Sequence, residues 1–113
     1  MPTDCLFCRI VTGDIPATIV AKTDRAIAFR DINPQAPTHV LVIPREHVQS
    51  LAHAEDGAML GELMAFAAEV ARTESISEGG YRVVANIGKN GGQTVDHLHL
   101  HVLGGRSMHW PPG

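Results

Sequence analysis

Apolar and polar positions alternate along the chain in a way that predicts a sequence of short elements and one long one. Leu6, Phe7 and Ile10 form an apolar stripe over residues 5–12. Gly13 can stop a helix and Pro16 cannot continue one, so a short N-terminal helix is expected there. Residues 18–22 and 26–30 are brief β-like runs separated by the turn-prone pair Thr23-Asp24. The stretch 33–37 carries Pro34 and Pro37, which remove donors and restrict the residues before them, so it reads as irregular. Residues 39–43 are apolar and rich in β-branched side chains, a buried strand that Pro44 should end. Leu60, Leu63, Met64, Ala67, Val70 and Ala71 recur at helical spacing. Glu55 and Asp56 suit the positive start of that helix, and Gly79-Gly80 is expected to close it. Residues 81–87 and 95–103 read as two strands of a hairpin around the glycine-rich segment 88–93. The sum is an α+β fold, a largely antiparallel sheet of about five strands with one long helix on one face. The tail 104–113, with Trp110, Pro111 and Pro112, cannot be a central strand.

Composition narrows the function. At 113 residues, 44% hydrophobic and 19% charged, the chain is one globular domain spanning 1–113, without repeat or linker. Pairing with a second copy would help such a small domain hide apolar surface. The net charge is −3, no basic run exists and only 4% of residues are aromatic, which argues against a nucleic-acid partner. No apolar run approaches the ~20 residues of a membrane span. The first residues lack the basic and apolar segments of a leader, so a cytoplasmic location is expected.

Histidine is the outlier: seven in the chain, three of them in His97-Leu98-His99-Leu100-His101. Strand alternation would turn Leu98, Leu100 and Val102 toward the helix-covered core and the three imidazoles to the opposite face. Two chemistries compete for them. One is a metal that activates water. The other is attack of an imidazole on phosphorus, with a second imidazole donating to the phosphoryl oxygens. Gly91-Gly92-Gln93-Thr94 favours the second, because glycines let backbone N–H groups approach an anion, while Thr94 offers a hydroxyl and Gln93 an amide. Cys5 and Cys8 form a C-x-x-C pair, read either as metal ligands or as two free thiols packed as small hydrophobes. Lys89 and Arg106 read as solvated charges.

These motifs resemble the histidine-triad (HIT) family. The resemblance rests on Cys5-Leu-Phe-Cys8, the segment 31–39 from Asp31 to His39, Pro44-Arg45-Glu46-His47, Gly91-Gly92-Gln93-Thr94, the triad itself and the ending 104–113. That ending resembles the Hint branch more than the fragile-histidine or uridylyltransferase branches. The Hint resemblance implies a purine nucleoside phosphoramidase, which cleaves a P–N bond through a nucleotidyl-histidine intermediate. It implies His99 as nucleophile, His101 as the group polarising the α-phosphate and His39 as the group that orients and assists. Asn86, Gly92, Gln93 and Thr94 would join His99 and His101 around the phosphate. Asp31 would hold the ribose, and Phe7, Ile10, Phe29, Ile32 and Leu41 would line the base pocket. Structural zinc would sit on Cys5, Cys8, His47 and His97, with no metal needed for the chemistry itself. The ligand would be a purine nucleotide or phosphoramidate, with the choice of purine open. The protein would be a homodimer built on the long helix and the 81–87 strand edge, with Trp110 reaching the partner's pocket. Two departures, Thr94 for the commoner Ser and Asp96 for an aromatic, are expected to alter which leaving group is accepted. Three other readings remain open. One is a nucleotide-binding regulatory module, another a dinucleoside polyphosphate hydrolase of another HIT branch. The third is a metal-dependent hydrolase using His97, His99 and His101 together.

Overall fold

A computed structural model describes residues 4–113. The expected lack of a leader falls partly on residues 1–3, which lie outside the described residues. Helix α1 spans Leu6–Thr12, and strands β1, β2 and β3 span Ile19–Lys22, Ala26–Arg30 and Thr38–Pro44. After a 3-10 turn at Leu51–His53 come the long helix α2 (Gly57–Thr73), β4 (Tyr81–Val84) and β5 (Leu100–Gly104). The strands form one sheet in the order β1-β2-β3-β5-β4, with every neighbouring pair antiparallel. This is the α+β architecture expected, with five strands and two helices. Among the described residues no helix is long and apolar enough to cross a membrane.

Both faces of the central strands are covered, which is why β3 reads as a continuous apolar run. Val40 and Val42 point toward α2 and pack with Leu63, Ala67, Val70, Leu100 and Val102. The alternate residues Leu41 and Ile43 face the other way, against Phe7 and Cys8 of α1 and against Ile27 and Phe29 of β2. The short helix is therefore a lid for the second face of the sheet. Its ends are well fixed: Cys5 Sγ accepts from the Cys8 N–H at 3.3 Å, and Gly13 closes it at a φ of 86°. Asp56 caps α2 by accepting from the Met59 N–H at 3.0 Å.

Three boundaries differ from expectation. Helix α2 stops at Thr73, well before Gly79-Gly80. Ser75 takes a left-handed φ of 60°, and the Ile76 N–H returns to the Ala71 carbonyl at 3.1 Å. This turn drops Ile76 into the core, an anchor that outweighs the roughly one and a half further helical turns to Gly79. Strand β4 ends at Val84 and β5 begins only at Leu100. The hairpin is consequently not tight: residues 85–99 make a long excursion between the two strands. Positive φ at Gly88 and Gly92 turns this segment, and a bond of 2.6 Å from the Leu98 N–H to the Val48 carbonyl holds its far end.

Candidate functional site

The histidine alternation survives although His97 and His99 lie outside the β5 ladder. Leu98 is buried in the α2 core, while His97 and His99 fall on the α1 side. There the Phe7 ring meets their edges at centroid distances of 5.9 and 5.0 Å. His99 and His101 are neighbours at 5.1 Å. The face expected from strand periodicity is thus correct, and α1 makes it an interior wall instead of a solvated surface.

Hydrogen-bond partners assign the tautomers of three rings. His99 Nδ1 lies 2.7 Å from the His97 carbonyl. A carbonyl only accepts, so Nδ1 carries a proton, and in the neutral ring it is Nε2 that keeps the lone pair. His39 Nδ1 accepts from the Gln35 N–H at 3.0 Å, so its proton sits on Nε2. That Nε2–H donates to His101 Nδ1 at 2.8 Å, which leaves the His101 proton on Nε2. Asp31 Oδ2 lies 3.4 Å from His39 Nε2. Burial pushes His101 down to about 4, helped by neighbouring His99 and His39 and opposed by Asp31. Burial likewise lowers His39, against the pull of Asp31. Both rings are therefore neutral at pH 7, as the tautomer chain requires.

These rings border a cavity of about 260 Å³ beneath α1. Every residue expected to hold a nucleoside lines it: Phe7, Ile10, Phe29, Asp31, Ile32 and Leu41. His99, His101 and Thr94 line it as well. Its walls are mainly apolar, with Arg30, Asp31, Thr94, His99 and His101 as the polar lining residues. His39 stands behind His101 and does not reach the cavity wall. Ile15, Pro16 and Ala17, in the loop after α1, also contribute to the wall. Periodicity gave no signal for them, because short apolar loop residues carry none.

The glycine-rich segment divides differently than expected. Gly92 and Gln93 border a separate groove that meets the first cavity at Thr94. The Gln93 amide is spent on the backbone: Oε1 accepts from the Gly88 N–H at 3.0 Å, and Nε2 donates to the Gln49 and Val95 carbonyls at 2.7 and 3.0 Å. Its side chain braces the loop. A side chain at Gly91 would collide with the Ile87 carbonyl, so the backbone approach there requires glycine. Asn86 Oδ1 is buried without a hydrogen-bond partner, and its Nδ2 faces Gly92. Lys89 and Arg106 are both exposed, as expected, and Arg106 is also hydrogen-bonded to the backbone. It donates from Nε and NH2 to the Gln35 carbonyl at 3.2 and 3.0 Å. Trp110 is 82% exposed on the single chain.

A second cluster lies on the other side of His97. The ligand atoms of Cys5, Cys8, His47 and His97 all fall within 4.8 Å of one another. Cys5 Sγ is 3.4 Å from His97 Nδ1, and Cys8 Sγ is 3.3 Å from His47 Nδ1. A tetrahedral zinc with two sulfur and two nitrogen ligands sets such atoms about 3.3–3.8 Å apart. His97 Nε2 donates to the Pro44 carbonyl at 2.9 Å, which aims the Nδ1 lone pair at the thiols. Burial drives His97 down to about 4 and, with Cys5 beside it, raises Cys8 to about 11. A buried neutral imidazole set against buried thiols is a donor set suited to a divalent soft metal. Asp31, His39 and His101 also converge. There, however, a metal on His39 Nε2 would need the ring proton moved to Nδ1, against the Gln35 N–H. Among the described residues no cluster joins His97, His99 and His101, so the single-ion alternative has no geometry to support it.

The comparisons agree with this geometry. A family model described as the HIT domain matches residues 12–108. A 14 kDa zinc-binding protein of Zea mays is 49% identical over 112 residues, covering 96% of this chain and 87% of that protein. The crystal structure of a HIT family hydrolase from Legionella pneumophila Philadelphia 1 superposes with a TM-score of 0.95 at 49% identity, over 97% of this chain and 100% of that one. A hypothetical histidine triad nucleotide-binding protein from Sulfolobus tokodaii strain 7 superposes with a TM-score of 0.78 at 29% identity, over 88% of this chain and 68% of that one. With the family model spanning the sheet, the long helix and the whole histidine strand, the chain belongs to the HIT family.

Proposed function

We propose that the protein is a nucleotide hydrolase of the phosphoramidase type. It would cleave the P–N bond of adenosine or guanosine 5′-phosphoramidates through a nucleotidyl intermediate on His99. The observation that carries this reading is the 2.7 Å bond from His99 Nδ1 to the His97 carbonyl at the edge of an apolar cavity. It presents an unprotonated Nε2, the form a nucleophile needs. The hydrolase and nucleotide-binding relatives support the same direction.

In this reading the base lies among Phe7, Ile10, Phe29, Ile32 and Leu41, and Asp31 accepts from the ribose hydroxyls. The α-phosphorus sits between His99 and Thr94, with Asn86 and the backbone at Gly92 near its oxygens. The His99 Nε2 lone pair attacks phosphorus and the P–N bond breaks. The departing nitrogen accepts a hydrogen bond from the His101 Nε2–H, which the His39 Nε2–H holds in that orientation through His101 Nδ1, and it leaves as the amine with a proton taken from solvent. Water then attacks the nucleotidyl-histidine, releasing a proton to solvent and returning the electron pair to His99. The products are the nucleoside monophosphate and the amine. Cys5, Cys8, His47 and His97 would hold a structural zinc, which cross-links α1 to the histidine strand and takes no part in either step. A homodimer contacting through α2 and the β4 edge would bring Trp110 to the partner's pocket.

Quenching the enzyme with adenosine 5′-phosphoramidate and mapping an acid-labile adduct by mass spectrometry tests the proposal. An adduct on His99 is expected. Micromolar AMP binding without turnover would instead make the protein a binding module.

A further inference from the structure

Arg106 has no part in the machinery proposed above. It follows β5, in a segment with no place in the cavity wall. Its guanidinium nevertheless forks onto one acceptor, the Gln35 carbonyl, from Nε at 3.2 Å and NH2 at 3.0 Å. A third bond, from NH1 to the Ser107 carbonyl at 3.0 Å, fixes the plane of the fork. The same turn presses on the loop at a second point. Gly105, at a φ of 89°, lies so close to Pro37 that an added Cβ would stand 2.9 Å from the proline Cβ. The loop it braces is exposed at Ile32, Asn33, Pro34 and Gln35, with Ala36 buried. Its own bonds, from the Asn33 N–H to Asp31 at 2.8 Å and from Gln35 Nε2 to the Asn33 carbonyl at 3.0 Å, tie it only to itself.

Gln35 matters because its own N–H is the donor to His39 Nδ1 at 3.0 Å. That bond sets which nitrogen of His39 carries the proton, and so which way the His39–His101 hydrogen bond runs. If Gln35 drifts, Nδ1 can take the proton. His39 Nε2 then becomes an acceptor, His101 donates from Nδ1, and His101 Nε2 has no N–H to offer a leaving group. Asp31 Oδ2, 3.4 Å from His39 Nε2, favours the productive tautomer but is too far to fix it alone.

We infer that Arg106 is a positioning residue. By clamping the Gln35 carbonyl it holds the Gln35 amide that selects the His39 tautomer, and so sets the direction of the hydrogen-bond relay. The inference rests on the relay reading of the previous subsection. A planar fork suits this task in a way an ammonium does not, since Lys can offer the carbonyl a single point contact.

The test uses the full-length protein with Arg106→Ala and Arg106→Lys. Ring ¹⁵N shifts of His39, kcat with adenosine 5′-phosphoramidate and Kd for AMP are measured on each. For Arg106→Ala, kcat should fall about tenfold or more, the scale of a small displacement remote from the chemistry. AMP affinity should stay within about twofold, because the cavity wall is untouched. The His39 Nδ1 resonance should leave its acceptor position, and Arg106→Lys should recover part of both effects. An unchanged His39 spectrum, or an equal loss of AMP affinity and turnover, overturns the inference. His39→Ala separates the two levels of the argument. If it abolishes turnover while Arg106→Ala does not lower kcat, the clamp alone is wrong. If His39→Ala stays fully active, the relay itself is wrong.

Discussion

His97 serves two neighbours with different parts of itself. Its main-chain carbonyl accepts the His99 Nδ1–H at 2.7 Å, while its ring, wholly buried, turns Nδ1 toward Cys5 at 3.4 Å. The metal cluster and the proposed nucleophile therefore share one residue. Zinc analysis of the purified protein should find one equivalent per chain, and Cys8→Ser should lose it. The thermal midpoint of that variant should fall, because α1 loses its tie to the histidine strand. Cys8 is held near 11 without metal, so binding must expel its proton. Metal affinity should consequently rise with pH. A chelator competition that is flat across neutral pH would contradict this.

His99→Ala removes the nucleophile but leaves the apolar walls in place. Turnover should drop by about a thousandfold or more, since loss of a covalent route leaves only positioning. AMP should still bind, because Asp31 and the base-facing residues are unaltered. Steady-state rates and calorimetric titration with AMP check the two halves separately. Residual turnover within tenfold of the parent would remove His99 from its role.

Strand periodicity made the alternation of Leu98, Leu100 and Val102 against the three histidines legible in sequence, and the spacing of Cys5 and Cys8 exposed half of the metal cluster. The other half, His47 and His97, is contributed by a loop after β3 and by residue 97, remote in sequence, which only folding brings together. The same limit hid the Gln35–Arg106 clamp, where a backbone carbonyl has no sequence signature. Helix α2 ends before the stop its sequence predicts because Gly79-Gly80 is a stronger sequence signal than Ser75, a non-glycine residue in the left-handed region. Strand β5 is shorter than its pattern predicts because apolar alternation extends to Leu98, outside the ladder. That residue is packed by α2 and bonded to Val48 instead.

Ile32 is fully exposed, yet it lines the cavity where a base would lie. An isoleucine in that position contributes nothing to the empty fold and gains burial only when a ligand covers it. Ile32→Ser should leave the thermal midpoint unchanged and weaken AMP binding by about 1 kcal/mol, roughly fivefold in Kd. A lowered midpoint with unchanged affinity would place the isoleucine in the fold's packing and not in recognition.

The neutral relay carries an acid liability. Burial, with His99 and His39 alongside, holds His101 at about 4 against its ordinary 6.5, and only Asp31 pulls the other way. The unfolded chain then binds a proton in that window that the folded chain refuses. The stabilising contribution of neutral His101 is fully present above about pH 6.5 and is lost progressively as pH falls toward 4. His39 is depressed in the same direction and adds to the trend. His101→Gln keeps a hydrogen-bonding side chain but removes this titration. Its urea midpoint should therefore fall less steeply than the parent's between pH 7 and pH 4, converging with it at the acid end. The metal cluster responds to acid in both proteins and drops out of the difference. Parallel midpoint curves for the two proteins would show that His101 is not held neutral by the fold.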